Sequence, residues 1–305
     1  MQDINTNDIA SQLAHDLLRE KRADRRWRNI RFAAWFVLFA IIFVNVSGIF
    51  SSESVSGSVM HGKYAALIRL DGMIAPGRDF SAENVIPTLK QAFSDKNAAG
   101  VVIDINSPGG TPVQASIIHD AIIAFKKKYH KKVIIVGEDM LTSGAYYIAV
   151  SADKIYVNPN TLTGSIGVVM KGFGFVDAMK KVGIDRRVYT AGTEKDRLDP
   201  FLPQSPDDVK KIQEVMKEVH VNFSNTVLEG RKGKLHGDPK ELFSGDFWSG
   251  ESAVKLGLVD GLGNLLDVLD KEFKTTRVKE YGESNNILKM LGVGMNSVFD
   301  HWVYV

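Results

Sequence analysis

The sequence predicts an α/β domain built on a largely parallel sheet and preceded by one N-terminal transmembrane helix. Three observations carry that reading. From Lys63 onward, short β-branched runs alternate with helical stretches, the pattern of strand–helix–strand units. Before them, the nineteen residues Phe32–Phe50 (FAAWFVLFAIIFVNVSGIF) contain no charged side chain. Immediately ahead of that run, Lys21–Arg31 carries six basic residues against Asp24 alone.

At a helical rise of ~1.5 Å per residue the apolar run reaches ~28 Å, the thickness of a bilayer's hydrocarbon core. The basic collar places residues 1–31 in the cytoplasm and everything after Phe50 outside, by the positive-inside rule. A cleaved signal peptide would have a shorter basic lead and an apolar stretch of ~7–15 residues, so an uncleaved anchor at 32–50 is the expectation. That makes the lipid bilayer one expected partner. The expected topology is single-pass, with the domain that follows on the outer side of the membrane. Residues 51–62 (SSESVSGSVMHG) are rich in Ser and Gly and read as a flexible linker. The domain proper is expected over 63–280, and 281–305 as an apolar-leaning tail.

Charge and composition narrow the function. The chain of 305 residues has 38 basic and 36 acidic side chains, a net charge of +2. Residues 1–31 hold seven basic and five acidic groups, so residues beyond Phe50 carry 31 of each sign. A neutral domain argues against nucleic acid as a partner. There is no cysteine, which excludes disulfides, thiolate metal sites and a cysteine nucleophile.

Within the domain, Tyr64–Leu70, Gly100–Ile105, Lys132–Gly137 and Lys154–Val157 read as buried strands, and Arg187–Thr190 as strand-like. Ser81–Phe93, Pro112–Lys128 and Tyr146–Ala152 read as helices. The second shows an apolar stripe at Val113, Ile117, Ala121 and Phe125. Ser205-Pro206-Asp207-Asp208 starts a helix that runs to a C-cap at Gly230.

Parallel sheets present their functional loops at the C-terminal ends of the strands. Three such loops stand out, each rich in small residues. Asn106-Ser107-Pro108-Gly109-Gly110 follows the GVVIDI strand, and its glycines leave backbone N–H groups uncovered, as an oxyanion hole needs. The same glycines also suit a tight turn. They match neither GxGxxG nor a Walker A pattern, so no nucleotide cofactor is expected, and no metal. Thr142-Ser143-Gly144-Ala145 opens a helix, where Ser143 by composition reads first as an N-cap; the same place, beside exposed N–H groups and a helix dipole, suits a nucleophile. Thr161–Gly167 (TLTGSIG) is the third and by itself reads as a turn.

A serine nucleophile needs a base. None of the seven histidines lies in these loops, and His119-Asp120 falls within a helix whose surface it is expected to decorate. A lysine serves if burial makes its neutral form accessible. Lys195 is a candidate, although its charged neighbours Glu194 and Asp196 fit an exposed turn as well. The residues alone leave the base open.

Taken together, Ile105–Gly110 (INSPGG), Thr142–Ala149 (TSGAYYIA), Thr161–Val168 (TLTGSIGV) and Gly245–Gly263 (GDFWSGESAVKLGLVDGLG) resemble the signal peptide peptidase A family of membrane serine peptidases, family S49. The resemblance spans about residues 63–270 and includes the N-terminal anchor. It implies a ClpP/crotonase-like fold and catalysis by a Ser–Lys dyad without cofactor. Carried over, Ser143 is the nucleophile and Lys195 the general base. Gly110 and Gly144 are the oxyanion donors, and Ser165 orients the lysine. The interval of 52 residues between Ser143 and Lys195 fits the family's short form. In that form protomers assemble in a ring and share active sites, so a homo-oligomer is implied. Apolar peptides such as cleaved signal peptides, met at the outer side of the inner membrane, are the implied substrates. Two other readings stand beside this one: a catalytically inactive membrane-tethered scaffold, and a crotonase-like acyl-CoA enzyme.

Overall fold

The computed structural model describes residues 31–37, 39 and 63–282. Residues 31–37 and 39 are helical; most of the apolar segment expected to span a membrane lies outside the described residues. Among those described, no helix is long and apolar enough to cross a membrane.

The domain is mixed α/β. Its strands are β1 (Tyr64–Asp71), β2 (Ala98–Ser107), β3 (Val133–Thr142), β4 (Lys154–Val157), β5 (Leu162–Gly164), β6 (Phe247–Ser249), β7 (Gly261–Leu262) and β8 (Val278–Tyr281). They form one sheet in the order β6-β5-β3-β2-β1-β8, with β4 pairing β3 and β7. Every pairing is parallel except β5–β6, as expected of a largely parallel sheet. The helices are α1 (Ala82–Ser94), α2 (Pro112–Tyr129), α3 (Gly144–Ala149), α4 (Val176–Lys181), α5 (Pro206–Gly230), α6 (Pro239–Leu242), α7 (Gly250–Lys255) and α8 (Leu265–Phe273).

The central strands read as continuous apolar runs because both faces are covered. Side chains alternate along β2. Val102 packs with Ile134, Val136, Val268, Leu269 and Phe273 beneath α8, and Ile103 and Ile105 are buried on the opposite face. Glu272 pins α8 to the sheet. Its carboxylate accepts from Lys132 at 2.5 Å, Lys154 at 2.9 Å and the Tyr156 hydroxyl at 2.5 Å. Helix ends follow their sequence signals. The Ser205 side chain accepts from the Asp208 N–H, and His130 closes α2 in the left-handed region with its N–H on the Lys126 carbonyl.

Several expectations need correction. In α2 the buried residues are Ala115, Ile118 and Ile122; Val113 and Ile117 are exposed. The apolar residues of this helix are numerous enough to draw two stripes, and packing against α1 and α3 selects the other one. Arg187–Thr190 is not a strand but irregular chain, with every residue exposed. His119 is also less exposed than its place on a helix surface suggests: its ring lies edge-on against Tyr147, and its Nδ1 lies 2.9 Å from the Asp120 carboxylate. Finally, β3 runs five residues past Gly137, through Glu138 and Asp139, directly to Ser143.

Candidate active site

The end of β3 sets the position of Ser143. Thr142 pairs with Gly164 on β5, and the next residue enters α3 as its N-cap with φ 53° and ψ −123°. A serine has no steric licence for positive φ, so this is a tight strand-to-helix elbow held by its surroundings. The Ser143 N–H donates to the Gly164 carbonyl at 2.7 Å, and its own carbonyl accepts from Tyr147 at 2.9 Å. No side-chain capping bond occupies the hydroxyl. Ser143 is half-buried, while Gly144, Ala145 and Tyr146 behind it are buried.

The glycine turn after β2 lies against this elbow. A Cβ on Gly109 would fall 2.7 Å from both the Gly144 nitrogen and the Ser143 Cβ, so only glycine permits the approach. A Cβ on Gly144 would lie 3.3 Å from the Gly110 nitrogen, so the glycine turn and the start of α3 approach closely beside the serine. The first N–H of a helix has no acceptor within it, so the Gly144 N–H has no intrahelical partner. The turn is fixed from below. Ile74 donates to the Gly109 carbonyl at 2.8 Å and accepts from Thr111 at 2.8 Å, and the buried Ser107 hydroxyl accepts from the Gly109 N–H at 3.1 Å.

The third loop completes the wall. Ser165 also has positive φ, 51°, and its N–H donates to the Asp246 carbonyl at 2.7 Å. A Cβ on Gly164 would strike the Trp248 ring at 2.7 Å. His220 Nε2 lies 3.2 Å from the Ile166 carbonyl, so α5 braces the same loop. Ser143, Gly110, Gly144 and the Gly164–Ser165 turn therefore converge.

Lys195 does not join them. It lies in a turn, its N–H on the Gly192 carbonyl at 3.2 Å. Its side chain is exposed, and among the described residues it makes no hydrogen bond or ion pair with Ser143 or Ser165. The segment around it exposes Val169, Met170, Phe173 and Tyr189, the last two 82% and 89% exposed.

Sequence reasoning missed Ile74, Asp246 and Trp248 as shaping residues. The first two act through backbone groups, which leave no side-chain signature. Trp248 stands inside the GDFWSG block that matched the family.

A hydroxyl at a strained strand-to-helix elbow, against a close-packed glycine turn in an α/β domain, is an arrangement that serine hydrolases use. The chain belongs to peptidase family S49, the signal peptide peptidase A family. The profile of Peptidase family S49 matches residues 125–279. The chain is 34% identical over 285 residues to an Enterococcus faecium protein named for signal peptide peptidase SppA, covering 83% of this chain and 82% of that one. It is 27% identical over 209 residues to the chloroplastic serine protease SPPA of Arabidopsis thaliana, covering 66% of this chain and 30% of the relative. It also resembles a protein of Brucella melitensis biotype 1 named Na(+)/H(+) antiporter NhaA, 42% identical over 239 residues. That match takes 76% of this chain but only 32% of the Brucella protein, so the chain spans about a third of that relative's length.

Proposed function

We propose that the protein is a membrane-anchored serine endopeptidase with a Ser–Lys dyad on a ClpP-like fold, hydrolysing apolar peptides such as cleaved signal peptides outside the inner membrane. The observation that carries the reading is the juxtaposition of Ser143 with the Gly110 and Gly144 N–H groups. Ser143 Oγ attacks a peptide carbonyl while Lys195 takes its proton. The carbon becomes tetrahedral, and its oxyanion is held by the two N–H groups, each worth ~10²–10³ in rate. The lysine returns the proton to the leaving amine, and water then hydrolyses the acyl-serine.

The lysine of each site comes from a neighbouring protomer. Support for this comes from the exposed position of Lys195 within its own chain and from the apolar side chains displayed around it. Such a patch is characteristic of a surface covered by another molecule, here a second copy. Ser165, at the wall of the site, orients the arriving lysine side chain. Labelling with a fluorophosphonate and mapping by mass spectrometry tests the assignment. Modification at Ser143 that disappears in Lys195→Ala is the expected result; labelling elsewhere, or undiminished in Lys195→Ala, contradicts it.

A further inference from the structure

Two residues of the family-like blocks, Asn106 of INSPGG and Thr161 of TLTGSIGV, have no part in the chemistry above. Both meet β3 at an irregular point. The strand pairs with β2 and β4 as far as Gly137, opposite Ile105 and Val157. It pairs with β5 from Met140, opposite Leu162, and with β2 again at Leu141, opposite Ser107. From Ile105 to Ser107 β2 advances two residues while β3 advances four, from Gly137 to Leu141, so β3 carries a bulge of two extra residues. The chain folds back on itself to hold them. A Cβ on Gly137 would lie 2.9 Å from the Leu141 Cβ, whereas residues four apart in a regular strand stand ~13 Å apart.

Side chains bind the main chain of the bulge from both sides. The Met140 N–H donates to Asn106 Oδ1 at 3.2 Å, and Asn106 Nδ2 reaches Asp139 Oδ2 at 3.5 Å. From the other side, the Thr161 hydroxyl donates to the Glu138 carbonyl at 2.5 Å and accepts from the Asn158 N–H at 3.0 Å. Thr161 is buried, so removing its hydroxyl leaves that carbonyl and that N–H without this partner. Each pin also belongs to a wall of the active site. The Asn106 carbonyl accepts from Gly72 at 2.9 Å, and the next residue, Ser107, holds the Gly109 N–H. Thr161 leads directly into β5 and its last residue Gly164, the acceptor of the Ser143 N–H.

We propose that Asn106 and Thr161 are positioning residues for the reaction: by holding the bulge of β3 they set where Ser143 stands against the Gly109–Gly110 turn. The proposal rests on the peptidase reading and adds to it the device that aligns its serine. Only Leu141 and Thr142 separate Met140 from Ser143, so a slip of the bulge passes to the elbow within two residues. A slip of one residue turns strand side chains to the opposite face, and a displacement of about 1 Å at a reacting group costs ~10² in rate. Both residues act through the main chain of β3.

The test is the rate at which a fluorophosphonate modifies Ser143 in the full-length protein, read separately from the fraction of molecules modified. Loss of folded protein lowers the fraction; a misplaced serine lowers the rate constant of the molecules that remain. Thr161→Val, which keeps the shape and removes the hydroxyl, and separately Asn106→Leu should each slow modification about tenfold or more. Each should lower kcat for an apolar fluorogenic peptide by a similar factor, with KM within about twofold of the parent. Thr161→Ser, which keeps the hydroxyl, should return the rate to within about threefold of the parent. Glu272→Gln, which loosens α8 where Lys132 and Lys154 meet it, should leave the rate constant unchanged. The positioning role is overturned by an unchanged rate constant in both Thr161→Val and Asn106→Leu, by a Thr161→Ser protein as slow as Thr161→Val, or by equal slowing in Glu272→Gln. If Thr161→Val yields no folded protein, Asn106→Leu decides alone. Modification of Ser143 in the parent with unchanged rates in the variants overturns the positioning role and leaves the peptidase reading standing; no modification of Ser143 in the parent overturns both.

Discussion

The N–H of Ser143 donates to the carbonyl of Gly164 at 2.7 Å, so Ser143 and the turn bearing Ser165 are held by one main-chain bond. Both serines have positive φ, 53° and 51°, and each is fixed by a backbone acceptor, Gly164 for the first and Asp246 for the second. Ser165 is thereby presented beside Ser143. Its replacement by alanine should lower kcat at least tenfold, leave KM nearly unchanged and shift the alkaline limb of the pH–rate profile. An unaltered profile would reduce Ser165 to a turn residue.

Gly109→Ala tests the packing of the oxyanion turn. Its φ of 102° and the 2.7 Å approach to Ser143 and Gly144 both forbid a methyl group. Activity should fall by ~10² or more, the scale of losing one oxyanion donor. Circular dichroism should show the sheet retained. Undiminished turnover would mean that the turn does not shape the site.

Glu272 predicts how the domain fails in acid. Burial works against its ionisation, yet the hydrogen bonds from Lys132, Lys154 and Tyr156 bring the carboxyl down to about 2. A depressed carboxylate contributes stability above its ordinary value, near 4.5, and loses it as pH falls towards 2. Glu272→Gln should therefore cost about 1.5–3 kcal/mol at pH 7, the worth of hydrogen bonds to a charged group, and flatten the acid limb of a urea-unfolding series. An equal loss at pH 2 and pH 7 would contradict this.

Asp104 predicts the opposite slope. Its carboxyl is raised in the fold, by burial first and Glu138 second, so the folded state holds a proton that the unfolded chain releases. Stability should then decline between about pH 4 and pH 7, and Asp104→Asn should remove that decline. Urea midpoints across this window provide the measurement, and a decline that persists in the variant would refute the assignment.

The parts of the fold that the sequence reveals are those governed by local pattern. The runs Tyr64–Leu70 and Lys154–Val157 are strands because β-branched and aromatic residues fill a sheet covered on both faces. Ser205-Pro206 opens α5 because cap chemistry is local. What escapes is decided by tertiary context. The end of β3 is hidden because Glu138 and Asp139 interrupt the apolar run, and β6, β7 and β8 are two to four residues each and form only by pairing with distant strands. The α2 stripe is ambiguous until α1 and α3 choose a face. In the site, the small-residue loops are visible as glycines and serines, but their convergence is not, and Ile74 contributes only its main chain.

The most direct measurement mixes two inactive proteins. Ser143→Ala and Lys195→Ala are each expected to lose at least 10³-fold of peptide cleavage, as removal of a nucleophile or its base does. If each site takes its serine from one protomer and its lysine from the next, equal mixing with subunit exchange restores about a quarter of the sites. Recovery of turnover in the mixture is the predicted result. Full activity in either variant alone, or a mixture as inactive as its parts, would contradict the shared Ser143–Lys195 site.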